Sequence, residues 1–286
     1  MGFKDLLKEK LKDKINLELL NFLPSGYQSV GDIIIINLKQ ELEKYKKLIG
    51  ETILIIFPKT RVVCNKKGGI TGEFREPQIE LIAGNKNTET IHFENGCYYK
   101  FDVRKLMFAK GNLNERIRIA KQVKAGEIVV DMFAGLGYFT VPIAKLSNVK
   151  KVFSIELNPT AFFYLNENLR LNEISNKVEA INGDSKIEVP KLAERYGRIA
   201  DRVVMGYLPP PKSFLPAALK IIKKGGILHY ETLIKVGNEK KEIETNLQDI
   251  EEISNKEGFD VKLIFAKKVK GYGPKIDHYT LDVKIV

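Results

Sequence analysis

The chain is poor in cysteine and histidine and has no tryptophan. Its two cysteines, Cys64 and Cys97, exclude a disulfide framework and a cysteine-rich zinc site, and each is expected to be a small buried hydrophobe. Three scattered histidines, His92, His229 and His278, make no metal-ligand spacing, so no metal is expected. No apolar run approaches the ~20 residues that a membrane helix needs, so no membrane partner is expected. The opening MGFKDLLKEKLKDK is charged throughout and lacks the apolar core of a secretory signal, which makes cytoplasm the expected compartment. Acid is the scarcer charge. Against 36 Asp and Glu stand 47 Lys and Arg, a net charge of +11. Such a surface suits a phosphate backbone, although lysine can also serve solubility or heat stability alone. At 286 residues, 44% hydrophobic and 29% charged, the chain has room for one large globular domain or two ordinary ones.

What is present is organised around EIVVDMFAGLGYFTVPIAK, from Glu127 to Lys145. Ile128, Val129 and Val130 read as a buried strand that ends at Asp131, the Ala134-Gly135-Leu136-Gly137 segment turns tightly, and an apolar helix follows. A second strand, Lys151 to Ile155, ends at Glu156, where a carboxylate can accept both hydroxyls of a ribose. A dinucleotide fingerprint needs a third glycine near Phe139 or Thr140, and none is there. The form Asp-x-Phe-Ala-Gly-x-Gly-x-Phe resembles instead the S-adenosylmethionine (SAM) site of class I methyltransferases, with Phe133, Gly135 and Gly137 beside the ligand.

Along the chain, residues 1–20 read as an amphipathic basic helix and 21–105 as a small α+β domain. Within it the pattern predicts a strand at 32–37, a helix at 40–49, a strand at 52–56, and further strands at 61–63, 79–82, 89–93 and 97–101. Residues 106–286 read as the cofactor domain, with the boundary near 103–110. It opens on a helix at 112–123 capped by Asn112. Strands ending near Asp131, Glu156, Asp184 and Tyr207, and one at 226–230, alternate with helices at 138–145, 159–171, 187–195 and 214–222. Two last strands, 262–266 and 278–283, face each other. The fold class is therefore α/β: regular βα units closed by a strand pair, the order of a class I (Rossmann-like) methyltransferase domain.

Asp184, in Asn182-Gly183-Asp184-Ser185, faces the cleft of such a sheet, where it can accept from an adenine amino group; a turn-forming Gly-Asp pair is the plainer reading. After the fourth strand stand Gly206, Tyr207, Leu208 and Pro209, where methyltransferases acting on amino or ring nitrogens carry an Asn that grips a base edge. A glycine cannot grip, and it is expected to leave room for a larger base.

Asp201 to Tyr207, Glu156-Leu157-Asn158-Pro159-Thr160-Ala161, and Gly111-Asn112 followed by Glu115, Arg116 and Arg118 resemble one family: the archaeal and eukaryotic tRNA guanine-37 N-1-methyltransferases together with the wybutosine-synthesis transferases. The likeness spans about residues 22–286. It implies SAM as donor and the anticodon loop of tRNA-Phe as partner; separately, the chain is expected to be a monomer. It also implies roles: Glu115 as general base, Arg116 and Ser185 beside SAM, Arg75 against the target base, and Ala109 near the cofactor through its backbone, since relatives have serine there. Without the resemblance, Glu115 and Arg116 are ordinary first-turn helix charges and Arg75 a solvated strand residue. The tyrosine and arginine of the N-1-methylating pattern are absent near Met107 and Gly111, as is the amide at Gly206, which points to the tricyclic base 4-demethylwyosine rather than guanine. The expectation is methyl transfer to its carbon 7. Transfer of the 3-amino-3-carboxypropyl group to the same carbon is the alternative, and guanine-37 N-1-methylation a second.

Overall fold

The computed structural model describes residues 2–72, 74–108 and 110–286. The chain divides into two compact units, Met1–Phe108 and Ala109–Val286.

The first unit begins with α1 (Phe3–Leu11), which is shorter than the sequence pattern predicts and is followed by a 3-10 turn at Leu19–Phe22. Strands β1 (Gln28–Val30) and β2 (Ile33–Ile36) form an antiparallel pair. A 3-10 turn (Gln40–Tyr45) leads into α2 (Lys46–Ile56), and β3 (Val62–Thr71) then returns parallel to β2. Strand β4 (Glu76–Gly84) completes a sheet in the order β1-β2-β3-β4, and β5 (Glu89–Glu94) with β6 (Cys97–Asp102) forms a separate antiparallel hairpin.

The strand expected at 52–56 is instead the end of α2. Its β-branched residues carry strand propensity, but Ile49 and Ile53, four apart, are both fully buried with Leu7, Leu11 and Ile34, a helical stripe against the sheet. Gly50 lies on the same side, where an added Cβ would come within 2.7 Å of the Ala83 Cβ. Tertiary packing has overridden local propensity.

The second unit opens with a 3-10 turn (Lys110–Asn112) and α3 (Leu113–Gln122). Asn112 holds the N-cap position, but its side chain makes no capping bond. Then come β7 (Ile128–Asp131), α4 (Thr140–Leu146), β8 (Lys151–Glu156), α5 (Pro159–Leu171), β9 (Val178–Asn182), α6 (Ser185–Tyr196) and β10 (Ala200–Met205). After these follow α7 (Leu215–Ile221), β11 (Ile222–Lys235), α8 (Glu239–Lys256), β12 (Val261–Gly273) and β13 (Ile276–Ile285). The sheet order is β12-β13-β11-β10-β7-β8-β9, parallel from β11 through β9, with β13 antiparallel to both β11 and β12. This is the mixed α/β sheet expected from the sequence. Helix α8 was not anticipated: its surface is dominated by charge, and only Ile243, Leu247, Ile250 and Ile253 turn to the core. The strand order reverses between β7 and β10, so a crevice opens beyond the carboxyl ends of those two strands, where open α/β sheets bind ligands.

Candidate active site

The turn after β7 is held from three sides. Gly135 and Gly137 have φ of 57° and 102°, left-handed values that a β-carbon disfavours. A Cβ on Gly137 would also meet the Val141 Cγ2 at 2.6 Å. From β8, Glu156 accepts the Gly135 N–H on Oε2 at 2.7 Å and the Asn158 N–H on Oε1 at 2.8 Å. One carboxylate thus ties together the loops after both strands. Asn158 in turn caps α5 by accepting from Thr160 N at 2.9 Å, with Pro159 in its first turn, which gives Glu-Leu-Asn-Pro its physical reading. Burial pushes the Glu156 carboxyl up, and the two backbone N–H bonds oppose that shift.

Asp131 is turned inward. It is fully buried and accepts from Thr140 Oγ1 at 2.8 Å and from Phe133 N at 3.3 Å, and Thr140 also reaches Ser154 Oγ at 2.7 Å. Burial lifts its carboxyl to about 6, tempered by those bonds. Expected among the cofactor ligands, its side chain braces the turn. Ser185 is likewise buried, its hydroxyl donating to the Met132 carbonyl. Asp184 caps α6 by accepting from Lys186 N at 2.8 Å on Oδ1, and its side chain is only half-buried. Leu157 and Ile187, which follow Glu156 and Asp184 closely, are large exposed hydrophobics at this same edge. Sequence reading passed them over, although their places after the two carboxylates were a signal.

On the other flank Phe133 stacks on Tyr207, with centroids 5.2 Å apart and planes at 28°, and meets Phe214 edge-on at 4.9 Å. Leu208 is buried, Pro209 exposed, and the peptide between them is cis. Gly206 corrects an expectation. A Cβ there would meet Phe139 Cε2 at 2.5 Å, so the space beside it is filled by the protein's own buried ring rather than left for a base.

Under α3 lies a buried charge network that spacing could not have revealed. Arg118 donates to both Glu115 oxygens (2.6 and 2.8 Å) and to both Asp282 oxygens (2.6 and 2.8 Å). Asp282 Oδ1 lies 2.7 Å from His229 Nδ1, and the other ring nitrogen of His229 faces Arg202, which pairs with Glu127 at 2.6 Å. Burial alone would push the Asp282 carboxyl up, but the bonds from Arg118 and His229 outweigh it and hold it below the usual carboxylate range. Next to Glu115 in the chain, buried Arg116 places its guanidinium 4.6 Å from the Tyr138 ring centroid, and that ring also packs over Gly135. Glu115, Arg116, Phe133, Gly135, Gly137, Glu156, Asp184 and residues 206–209 all belong to the second unit. Arg75 belongs to the first, in the turn between β3 and β4 with φ 57°. Ala109 lies outside the described residues. Among the described residues no group of His, Cys, Asp and Glu is placed to hold a metal, and no helix is long and apolar enough to cross a membrane.

Residues 90–264 match the TRM5/TYW2 methyltransferase domain, and residues 7–88 match the TYW2 N-terminal domain. The chain belongs to the TRM5/TYW2 methyltransferase family. A relative from Pyrococcus horikoshii, the tRNA(Phe) (4-demethylwyosine(37)-C(7)) aminocarboxypropyltransferase, is 37% identical over 99% of this chain and 98% of its own. A Saccharolobus solfataricus relative, the tRNA 4-demethylwyosine(37)-methyltransferase Taw21, is 32% identical over 89% of this chain and 92% of its own. The crystal structure of P. horikoshii TYW2 in complex with MeSAdo superposes with a TM-score of 0.83 at 35% identity, covering 99% of both chains. The resemblance read from Glu156–Ala161, Asp201–Tyr207 and the α3 motif is thereby the family of the whole chain.

Proposed function

We propose that the chain transfers the 3-amino-3-carboxypropyl group of SAM to carbon 7 of 4-demethylwyosine at position 37 of tRNA-Phe. The observation that carries this is the end-to-end match, through both units, to the P. horikoshii aminocarboxypropyltransferase. Methyl transfer, the expectation from sequence, has weaker support: the relative named for it is less similar and covers less of the chain.

The residues present fit SAM. Glu156 is fixed by two backbone N–H groups and retains lone pairs for the ribose hydroxyls. Asp184 Oδ2 is available to an adenine amino group, with exposed Leu157 and Ile187 to flank the purine. Buried Arg116, stacked on Tyr138 beside the glycine turn, is positioned for the carboxylate of the methionine portion. Bound SAM supplies a sulfonium leaving group, and which of its carbons faces the acceptor decides the group transferred. The Phe133–Tyr207 stack and the Leu208–Pro209 segment offer a flat wall for a planar acceptor. Glu115 takes the proton that leaves carbon 7, and Arg118 holds its carboxylate in one orientation. Arg75 and the net charge of +11 serve the tRNA.

The test is mass spectrometry of tRNA-Phe carrying 4-demethylwyosine after incubation with the protein and SAM. A gain of about 101 Da is expected for the aminocarboxypropyl group, whereas about 14 Da means methyl transfer and overturns the reading.

A further inference from the structure

The β5–β6 hairpin presents two unlike faces. Its inner face, with Thr90, Cys97, Tyr99 and Phe101, is buried in the first unit. Its outer face carries Ile91, Phe93 and Tyr98, which are 50%, 58% and 41% exposed. Phe93 and Tyr98 are directly opposed across the strands, with ring centroids 4.8 Å apart, and Lys100 opposes Ile91 two pairs further along, on the same face. The residues that flank the open end of the hairpin, Lys86 before it and Arg104 and Lys105 after it, are exposed cations. Two acids lie on the outer face at that end: half-buried Glu89, and Asp102, whose carboxylate already accepts from Thr88 Oγ1 at 2.6 Å and Arg104 N at 2.9 Å.

Exposed aromatics of this size cost hydrophobic free energy unless something covers them. At those exposures the three side chains offer on the order of 300 Å². A stable dimer interface needs about 800 Å² per partner and depletes lysine at its core. A second copy of the chain therefore fits poorly. Two stacked nucleobases fit well, because each ring covers about one aromatic face and the neighbouring cations can meet the connecting phosphates.

We propose that the outer face of this hairpin is a stacking platform for unpaired nucleotides of the tRNA, with Phe93 and Tyr98 under the bases and Lys100, Arg104 and Lys105 toward the backbone. This rests on the tRNA reading above and adds a contact surface to it. The recognition is stacking and charge, so it tolerates sequence and depends on salt.

The test is the double variant Phe93→Leu/Tyr98→Leu, which keeps apolar area but removes both rings at exposed positions. Binding of unmodified tRNA-Phe transcript is measured by filter retention at one fixed salt concentration, alongside SAM affinity and sedimentation. The expected result is a tRNA Kd about tenfold weaker with SAM Kd unchanged. An unchanged tRNA Kd overturns the platform, as does a wild-type dimer that the variant dissolves, since a second copy would then be the occupant. A wild-type chain that binds no tRNA defeats the tRNA reading itself. Wild-type binding matched by the variant defeats only the platform.

Discussion

Two regions of the second unit are built from buried or half-buried carboxylates on one sheet, and they use them in opposite ways. At the carboxyl ends of β7, β8 and β9, Glu156 accepts backbone N–H groups from the loops after β7 and β8, Asp184 accepts one from the start of α6, and both keep lone pairs unused. Beneath α3, Arg118, Asp282, His229, Arg202 and Glu127 satisfy one another, while Glu115, at the end of this chain of pairs, accepts one Arg118 bond on each oxygen and keeps lone pairs for a proton. Burial and charge are common to both regions, so neither distinguishes a binding site from a brace. The useful difference is which lone pairs remain unused after the fold has taken its share. By that criterion Asp131 and Ser185 side with the network, although Asp131 ends β7 and Ser185 follows Asp184.

The comparison can be broken most severely at Arg118. Arg118→Met leaves Glu115 and Asp282 buried without their shared cation, so unfolding free energy is expected to fall by about 3–5 kcal/mol in urea titration. The pH dependence has a definite sign. Asp282 is held below its ordinary range, so its contribution is present above the unfolded carboxylate pKa of ~3.9 and is lost as pH falls through the folded value. The variant lacks much of that depression, and its acid unfolding should begin at higher pH than the wild type's.

Next in size is Glu156→Gln. The amide can replace one accepted bond but not both, and it loses the charge that favours ribose hydroxyl donors. Calorimetry is expected to show SAM bound roughly 10–100-fold more weakly, in line with ~1.5–3 kcal/mol for a hydrogen bond to a charged group. Loss of stability on the scale of the Arg118 variant, with SAM affinity intact, would reverse the assignment of the two regions.

Gly206→Ala places a Cβ against the buried Phe139 ring. Overpacking is expected to cost about 1–3 kcal/mol. If the site instead accepts alanine without loss of stability, the space beside Gly206 is open after all.

The smallest effect, and a gain, is expected for Asp131→Asn. Its carboxyl sits at about 6 in the fold, above the ordinary value, so the wild type's stability contribution is full below ~3.9 and is lost as pH rises through 6. The variant does not titrate. It should match the wild type near pH 4 and exceed it at pH 7.5 by some part of the ~3 kcal/mol that a shift of about two pKa units represents, since the amide forgoes the bonds the carboxylate accepts; melting curves at both values read it.

The βα order of the second unit was legible because the strands from β7 to β10 end on markers: Asp131, Glu156 and Gly206 punctuate mostly buried apolar runs, and the Gly183-Asp184 pair closes the half-buried edge strand β9. The first unit gave fewer markers. Ile53 to Ile56 has the composition of a strand, yet it ends a helix whose Ile49 and Ile53 are buried in a cluster with Leu7, Leu11 and Ile34. The charged face of α8 concealed its four-residue apolar stripe in the same way. The site residues were legible as identities but not as orientations. Glu115 and Arg118 were both picked out by motif, but not that Arg118 bonds Glu115 on one side and Asp282, 164 positions further on, on the other.

The sequence by itself determined the family, through its motifs, and the glycine turn after β7 with Glu156 and Asp184 close to strand ends, since these follow from local periodicity and from glycine's freedom at positive φ. Tertiary structure alone decided which carboxylates are bonded only to backbone N–H groups and which are paired with buried side chains. It also decided that Phe139, not a ligand, occupies the space beside Gly206. The physical reason is common to all of these: a lone pair or a volume is assigned by whatever packs against it, and those neighbours come from distant parts of the chain.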